Sequence, residues 1–347
     1  MKKVYLRKII YIALLVCMAV VCLVPLTGSA RAATFQTSAR SAVVMEKISG
    51  RILWSKNADE QIPMASTTKI VTAITVIENA PDLDKVVEIP KEASGIEGSS
   101  IYLRAGEHLT LRELLYGLML RSGNDCAVAL ALAVSGSVES FAELMNKTAQ
   151  NLGCANSNFC NPHGLPNDQH YTSARDLATI TCHALQNQTF AEIVGTKSIK
   201  ISNEGYDYLR VLTNKNKLLF NYDGANGVKT GYTKKAGRCF VGSATRNGMQ
   251  VVVVVLNCGP MFEDTASLLD AAFAEYQLKC IIPQNKLCGA VYRHGKPTYY
   301  YCKEPFYYPV RYGEEVATNV TVDDAIQEIQ VTLNGETIFS NQLTAVE

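Results

Sequence analysis

The chain has 347 residues, of which 48% are hydrophobic and 19% charged, with a formal net charge of +1. That length supports one large domain or two smaller ones with a sizeable core, and the composition excludes a disordered or low-complexity class. The balanced charge points to no nucleic acid and no strongly acidic partner.

The first residues read as a targeting segment. Lys2, Lys3, Arg7 and Lys8 make a positive n-region, Ile9 to Leu26 is apolar throughout, and Ala30-Arg31-Ala32 is a small-residue cleavage site. Export is expected, with cleavage after Ala32 or Ala33. The apolar run of about 18 residues is also near the lower limit for a membrane span, which would make it an uncleaved N-terminal tether instead.

Eleven cysteines are present, two of them (Cys17 and Cys22) in the leader. The rest show neither a C-x-x-C pair nor a disulfide framework. Cys126, Cys182, Cys239 and Cys258 fall inside apolar patterns and read as small core residues. Cys154 and Cys160 are close enough in sequence to bridge, but no disulfide between them is expected. His163 and His170 near them lack ordinary zinc-ligand spacing, so no metal and no cofactor is called for.

In chain order, residues 41–45 and 51–54 read as two short strands around a turn. Pro63 then suits the entry to a buried helix over 65–78. Thr110-Leu111-Arg112-Glu113 is a capping box, and Leu111, Leu114, Leu115, Leu118 and Met119 form a helical stripe behind it. Arg121 to Asn124 is a tight loop, with Asp125 as the cap of a helix from Cys126 to Val134. Further helices are expected over 138–152 and 173–185, with a loop at residues 161–166 between them. Asn247-Gly248 between two apolar runs is a hairpin signal. The five valines Val251 to Val255 mark a strand covered on both faces. A helix over 262–276 closes this region. Beyond about residue 280, short alternating Tyr/Val/Thr segments read as a small all-β domain, with Tyr299-Tyr300-Tyr301 as strand packing.

Three short motifs carry the chemistry. Ser66-x-x-Lys69 opens the buried helix, where i and i+3 share a face. Ser122-x-Asn124 lies between helices about 56 residues later. Lys229-Thr230-Gly231 lies at a sheet edge about 107 residues further on. An S-x-x-K is expected roughly once by chance in such a chain; the order and spacing of all three are not. A nucleophile, a base, a relay and a cation for a carboxylate make a set fit for acyl transfer. Ser66 is the nucleophile. Lys69 is a base only if its pKa is depressed, for which burial and a nearby Lys229 are the expected causes.

The three motifs are a recognised signature of penicillin-binding proteins and class A β-lactamases. With Gly98 to Leu103, Leu118 to Asp125, Asn161 to Leu165 and Gly227 to Thr233, the chain resembles the D-alanyl-D-alanine carboxypeptidases, the low-molecular-mass penicillin-binding proteins of serine peptidase family S11. The resemblance implies an α+β fold. A β-lactamase/transpeptidase-like domain, with an antiparallel sheet flanked by helices and a helical subdomain, would be followed by a small all-β domain. The expected division is 1–32 signal peptide, 33–278 peptidase domain and 279–347 β-domain.

It further implies Ser66, Lys69 and Ser122 as catalytic residues, with Ser122 relaying the proton to the leaving amine. Asn124 would hold the substrate backbone or Lys69. Lys229 and Thr230 would take the substrate's carboxylate. Gly231 would let a peptide lie close to the strand, and the N–H groups of Ser66 and Tyr232 would form the oxyanion hole. The substrate would be a peptidoglycan stem peptide ending in D-Ala-D-Ala, and β-lactams would trap Ser66.

His163 and His170 read as structural, and Glu143 to Asn146 as surface helix. The E-x-x-L-N of class A β-lactamases is missing, which argues against a β-lactamase. A DD-endopeptidase would be served by the same motifs. A catalytically silent wall-binding protein would have no need to retain Ser66, Lys69, Ser122 and Lys229 together. Many relatives end in an amphipathic anchoring helix; the last residues, Gln342 to Glu347, are too short for one. Release, or tethering by the N-terminal segment, is therefore expected.

Overall fold

The computed structural model describes residues 34–294, 296–323 and 325–346. The expected leader, its cleavage site and the N-terminal tether lie outside the described residues.

A five-stranded antiparallel sheet organises the fold. Its strands are β1 (Ser41–Glu46), β2 (Ile52–Lys56), β3 (Ala225–Thr233), β4 (Gly237–Arg246) and β5 (Met249–Leu256), in the order β2-β1-β5-β4-β3. Early and late strands are neighbours: Val43 pairs with Val254, and Val254 with Val241. All five valines of β5 are fully buried. Val252 and Val254 pack with Ile70 and Leu177 on one face; Val251, Val253 and Val255 pack with Leu268 and Leu269 on the other. Two-sided burial is why the strand reads as a continuous apolar run. Asn247 and Gly248 both have positive φ, 49° and 79°, as a two-residue hairpin turn of type I′ requires.

One face carries the helices Lys69–Asn79, Leu111–Leu120, Asn124–Ser135, Val138–Asn151, Ala174–Ala184 and Gln188–Gly195. The other is covered by Met261–Glu275. The capping box forms as the sequence requires: the Thr110 side chain accepts from Glu113 N–H, and the Glu113 carboxylate accepts from Thr110 N–H. From Tyr276 onward the chain runs in short strands around a third apolar cluster, whose buried members are Ile282, Cys302, Ile329 and Val331.

Three details depart from the sequence expectations. The segment over 65–78 is not one helix: Ala65–Thr68 is a 3-10 turn, and the α-helix starts at Lys69. Ala65 takes a left-handed φ of 49°, which an α-helix does not accommodate.

Asp125 does not cap its helix. It lies inside Asn124–Ser135, and Gly123 occupies the cap position. Its carboxylate instead accepts from the backbone N–H of Ile101 and Leu103 and from Ser100 Oγ. Those donors lie on a loop more than 20 residues upstream.

Asn146 is not merely surface: its amide bonds both the N–H and the carbonyl of Phe159. All nine cysteines among the described residues are free, Cys154 and Cys160 included, and Cys126, Cys182, Cys239 and Cys258 are buried.

Candidate active site

The three motifs converge at the free edge of β3. The 3-10 turn brings Ser66 to this edge, and two glycines allow it to fit. A Cβ at Gly231 would stand 3.0 Å from the backbone nitrogens of Ser66 and Thr67, closer than packing comfortably allows. A Cβ at Gly164, whose φ is +86°, would overlap the Ala65 carbonyl oxygen. The strand and the loop at 161–166 therefore clamp the Ser66 turn from two sides. Lys69 opens the α-helix directly behind this turn, and its Nζ lies 3.1 Å from Ser66 Oγ.

Lys69 is fully buried. Its Nζ donates to Asn124 Oδ1 at 2.7 Å and to the His163 carbonyl at 2.6 Å. Both are obligate acceptors. A neutral amine has two N–H donors and one lone pair, so with both donors engaged the lone pair is left for Ser66 Oγ. Burial pushes the Lys69 pKa down to about 7, with the Lys215 cation assisting; Cys126 and Asp125 act the other way.

Lys229 is also buried, 1% exposed, and its Nζ donates to the Thr230 carbonyl at 2.8 Å. Burial first, then the Lys69 and Lys215 cations, hold its pKa well below the ordinary lysine range. The expected repulsion between the two motif lysines thus bears on Lys229. For Lys69 the leading cause is burial, and the neighbouring cation is Lys215.

The other motif residues divide between the open site and its support. A cavity of about 340 Å³ is lined by Ser66, Ser122, Thr230, Gly231 and Tyr232, together with Ser99, Lys215, Met261 and Phe262. Ser122 reaches it from a backbone with a left-handed φ of 64°, the kind of strain that clusters at functional sites. Asn124 and Lys229 do not line it. The Asn124 amide is spent on Lys69 and, at 2.5 Å, on the Glu97 carbonyl. Tyr232 is 65% exposed at the mouth.

Two contributors, the His163 carbonyl and Lys215, have no counterpart in the sequence expectations. His163 acts through its carbonyl on Lys69, a role that no side-chain pattern announces. Its ring, pushed down to about 3 by burial and then by Lys69, stays neutral. His170 is structural in the expected sense: Nδ1 accepts from Cys160 N–H, so Nε2 carries the proton toward Thr68 Oγ1 at 2.9 Å.

Lys215 is the second, an exposed cation on the cavity wall that donates to Ser99 Oγ at 2.9 Å. Its signal is the alternation around it. Asn214 and Asn216 are buried and bond backbone carbonyls of Thr196 and Gly227, which leaves Lys215 turned outward between them.

The D-alanyl-D-alanine carboxypeptidase family, peptidase S11, matches the chain over residues 27–259. The chain is 37% identical over 261 residues to D-alanyl-D-alanine carboxypeptidase DacF of Bacillus subtilis, covering 73% of this chain and 67% of that protein. It is 39% identical over 227 residues to D-alanyl-D-alanine carboxypeptidase of Streptomyces sp. K15, covering 61% of this chain and 78% of that protein. Among solved structures, penicillin binding protein 5 from Haemophilus influenzae superposes with a TM-score of 0.77 at 27% identity, over 90% of this chain and 97% of that one.

Proposed function

The chain belongs to the D-alanyl-D-alanine carboxypeptidase family S11, serine-type peptidases of the bacterial cell wall, and from that premise we propose how its own residues carry the reaction. The observation that carries the proposal is the engagement of both Lys69 donors. With Asn124 and the His163 carbonyl holding both N–H bonds, Lys69 takes the Ser66 proton as Oγ attacks the carbonyl of the penultimate D-alanine. The N–H groups of Ser66 and Tyr232 receive the developing oxyanion. Ser122 passes the proton to the departing amine, the terminal D-alanine leaves, and water hydrolyses the Ser66 ester. Thr230 and Lys215 hold the substrate's terminal carboxylate. Lys229, buried beneath the strand, shapes the electrostatics from below. Gly231 allows the peptide to lie along the β3 edge.

The same reading covers processing and organisation. Residues 1–32 direct export and are removed or retained as a tether. Residues 33–278 form the peptidase domain, and residues 279–347 a separate β-domain.

The test is labelling by a fluorescent penicillin combined with free D-alanine release from a pentapeptide ending in D-Ala-D-Ala. Wild type labels and releases D-alanine; Ser66→Ala does neither, a loss of about 10⁶-fold in rate. Equal labelling of both proteins sinks the mechanism. Labelling without D-alanine release favours the endopeptidase.

A further inference from the structure

The cavity over Ser66 has an apolar side that the reaction above leaves idle. Met261 and Phe262 form it, at the start of the helix Met261–Glu275. Phe262 packs against Phe240. Its ring lies edge-on to Phe240 with centroids 4.9 Å apart, and the Lys217 ammonium lies 5.9 Å from its centroid. Phe240 is the register partner of Thr230. The aromatic wall is therefore tied to the part of β3 that carries Thr230.

A C-terminal amino acid bound here has three substituents to place on its Cα besides hydrogen. Its amine is the leaving group at Ser66. Its carboxylate goes to Thr230 and Lys215. The side chain is what remains, and Met261–Phe262 is the wall that remains. We infer that Met261 and Phe262 receive the side chain of the leaving residue and restrict it to one that is short and apolar. This rests on the reading that Thr230 and Lys215 take the carboxylate. It goes beyond it by naming the residues that discriminate one C-terminal amino acid from another.

The experiment measures kcat/KM for three pentapeptides ending in D-Ala-Gly, D-Ala-D-Ala and D-Ala-D-Leu. It uses wild type, Phe262→Ala, Phe262→Leu and Met261→Ala, with fluorescent-penicillin labelling as the check that each variant folds. One methyl against an apolar wall is worth about tenfold in discrimination, so wild type favours D-alanine over glycine by about that factor and discriminates against D-leucine. Phe262→Ala narrows the preference over glycine and raises relative turnover of the D-leucine peptide by about tenfold or more; Phe262→Leu falls between. If Phe262→Ala does not label, Phe262→Leu and Met261→Ala carry the same ratio test. Variants that label normally and change all three substrates by one common factor overturn the inference alone. A wild type that releases no D-alanine overturns the carboxypeptidase reading, and this inference with it.

Discussion

Residues 34–275 and residues 276–346 are built to different standards. The first region buries two lysines, Asn124 and Asp125 within two large apolar clusters. The second has only four buried residues in its apolar cluster and leaves Tyr292 and Tyr312 70% and 62% exposed. Keeping a lysine uncharged requires a thick, well-packed surround that excludes water from every side. The first region has one; the second does not.

The two are joined by a localised clasp. Arg51 lies between the rings of Tyr276 and Tyr308, 5.3 Å from each centroid. It donates to the Pro309 carbonyl at 2.6 Å and forks onto Glu314 at 2.8 and 2.5 Å. The Tyr276 hydroxyl adds a bond to the Leu53 carbonyl. All the motif residues lie in the first region, and the clasp ties the second region to it.

Three perturbations probe that contrast, beginning with the deepest group. Lys69→Met keeps the length and removes the base. Acylation by fluorescent penicillin should slow by about 10³- to 10⁴-fold with the melting profile intact. In wild type, the acylation rate should fall about tenfold per pH unit below about 7, where Lys69 becomes protonated. A rate flat from pH 8 to pH 5 would remove Lys69 as the base.

The same group has a signature in stability. In the folded protein Lys69 releases its proton near 7, whereas an unfolded lysine keeps it to about 10.5. The folded state therefore binds fewer protons in that window, and its stability should rise with pH across it. Denaturant melts over that range read the slope.

Next in size is Gly164→Ala. The added methyl overlaps the Ala65 carbonyl, and the backbone is left-handed. A cost of about 3 kcal/mol is expected, seen as a lower thermal midpoint, with reduced Ser66 labelling because the clamp on the turn is displaced. An unchanged midpoint would mean that the loop at 161–166 yields freely.

The smallest effect belongs to the clasp. Arg51→Ala should cost about 1 kcal/mol and make residues beyond Tyr276 more sensitive to limited proteolysis. D-alanine release should stay at the wild-type rate. A marked fall in turnover would show that the two regions are not independent in function.

Much of the first region was legible in the sequence because its signals are local. The capping box at Thr110, the Asn247-Gly248 turn and the valine run each express a rule that operates over a few residues, and each forms as read. The β strands after Tyr276 were legible in outline for the same reason. The helix Gln188–Gly195 and the strands Tyr276–Ile282 and Phe306–Arg311 were not singled out, since their patterns are short and weakly periodic. At the site, the motif residues were visible as residue types in order. Asp125 was assigned to a cap because a cap is the local use for an aspartate before an apolar helix; its actual donors lie on the loop at residues 100–103. Lys215 and the His163 carbonyl were invisible, one because a single exposed lysine has no pattern, the other because every residue has a carbonyl.

The sequence by itself determined which side chains are available for acyl transfer and the order in which they occur. Side-chain chemistry and short-range geometry are properties of the chain alone. Only the tertiary structure decided which amines are depressed and by what, that Asn124 and Lys229 are buried behind the cavity rather than lining it, and that Lys215 lines it. It also decided that Ser66 sits on a 3-10 turn squeezed between Gly164 and Gly231. Desolvation and charge–charge distance are set by everything packed around a group, and here those neighbours come from segments far apart in the chain.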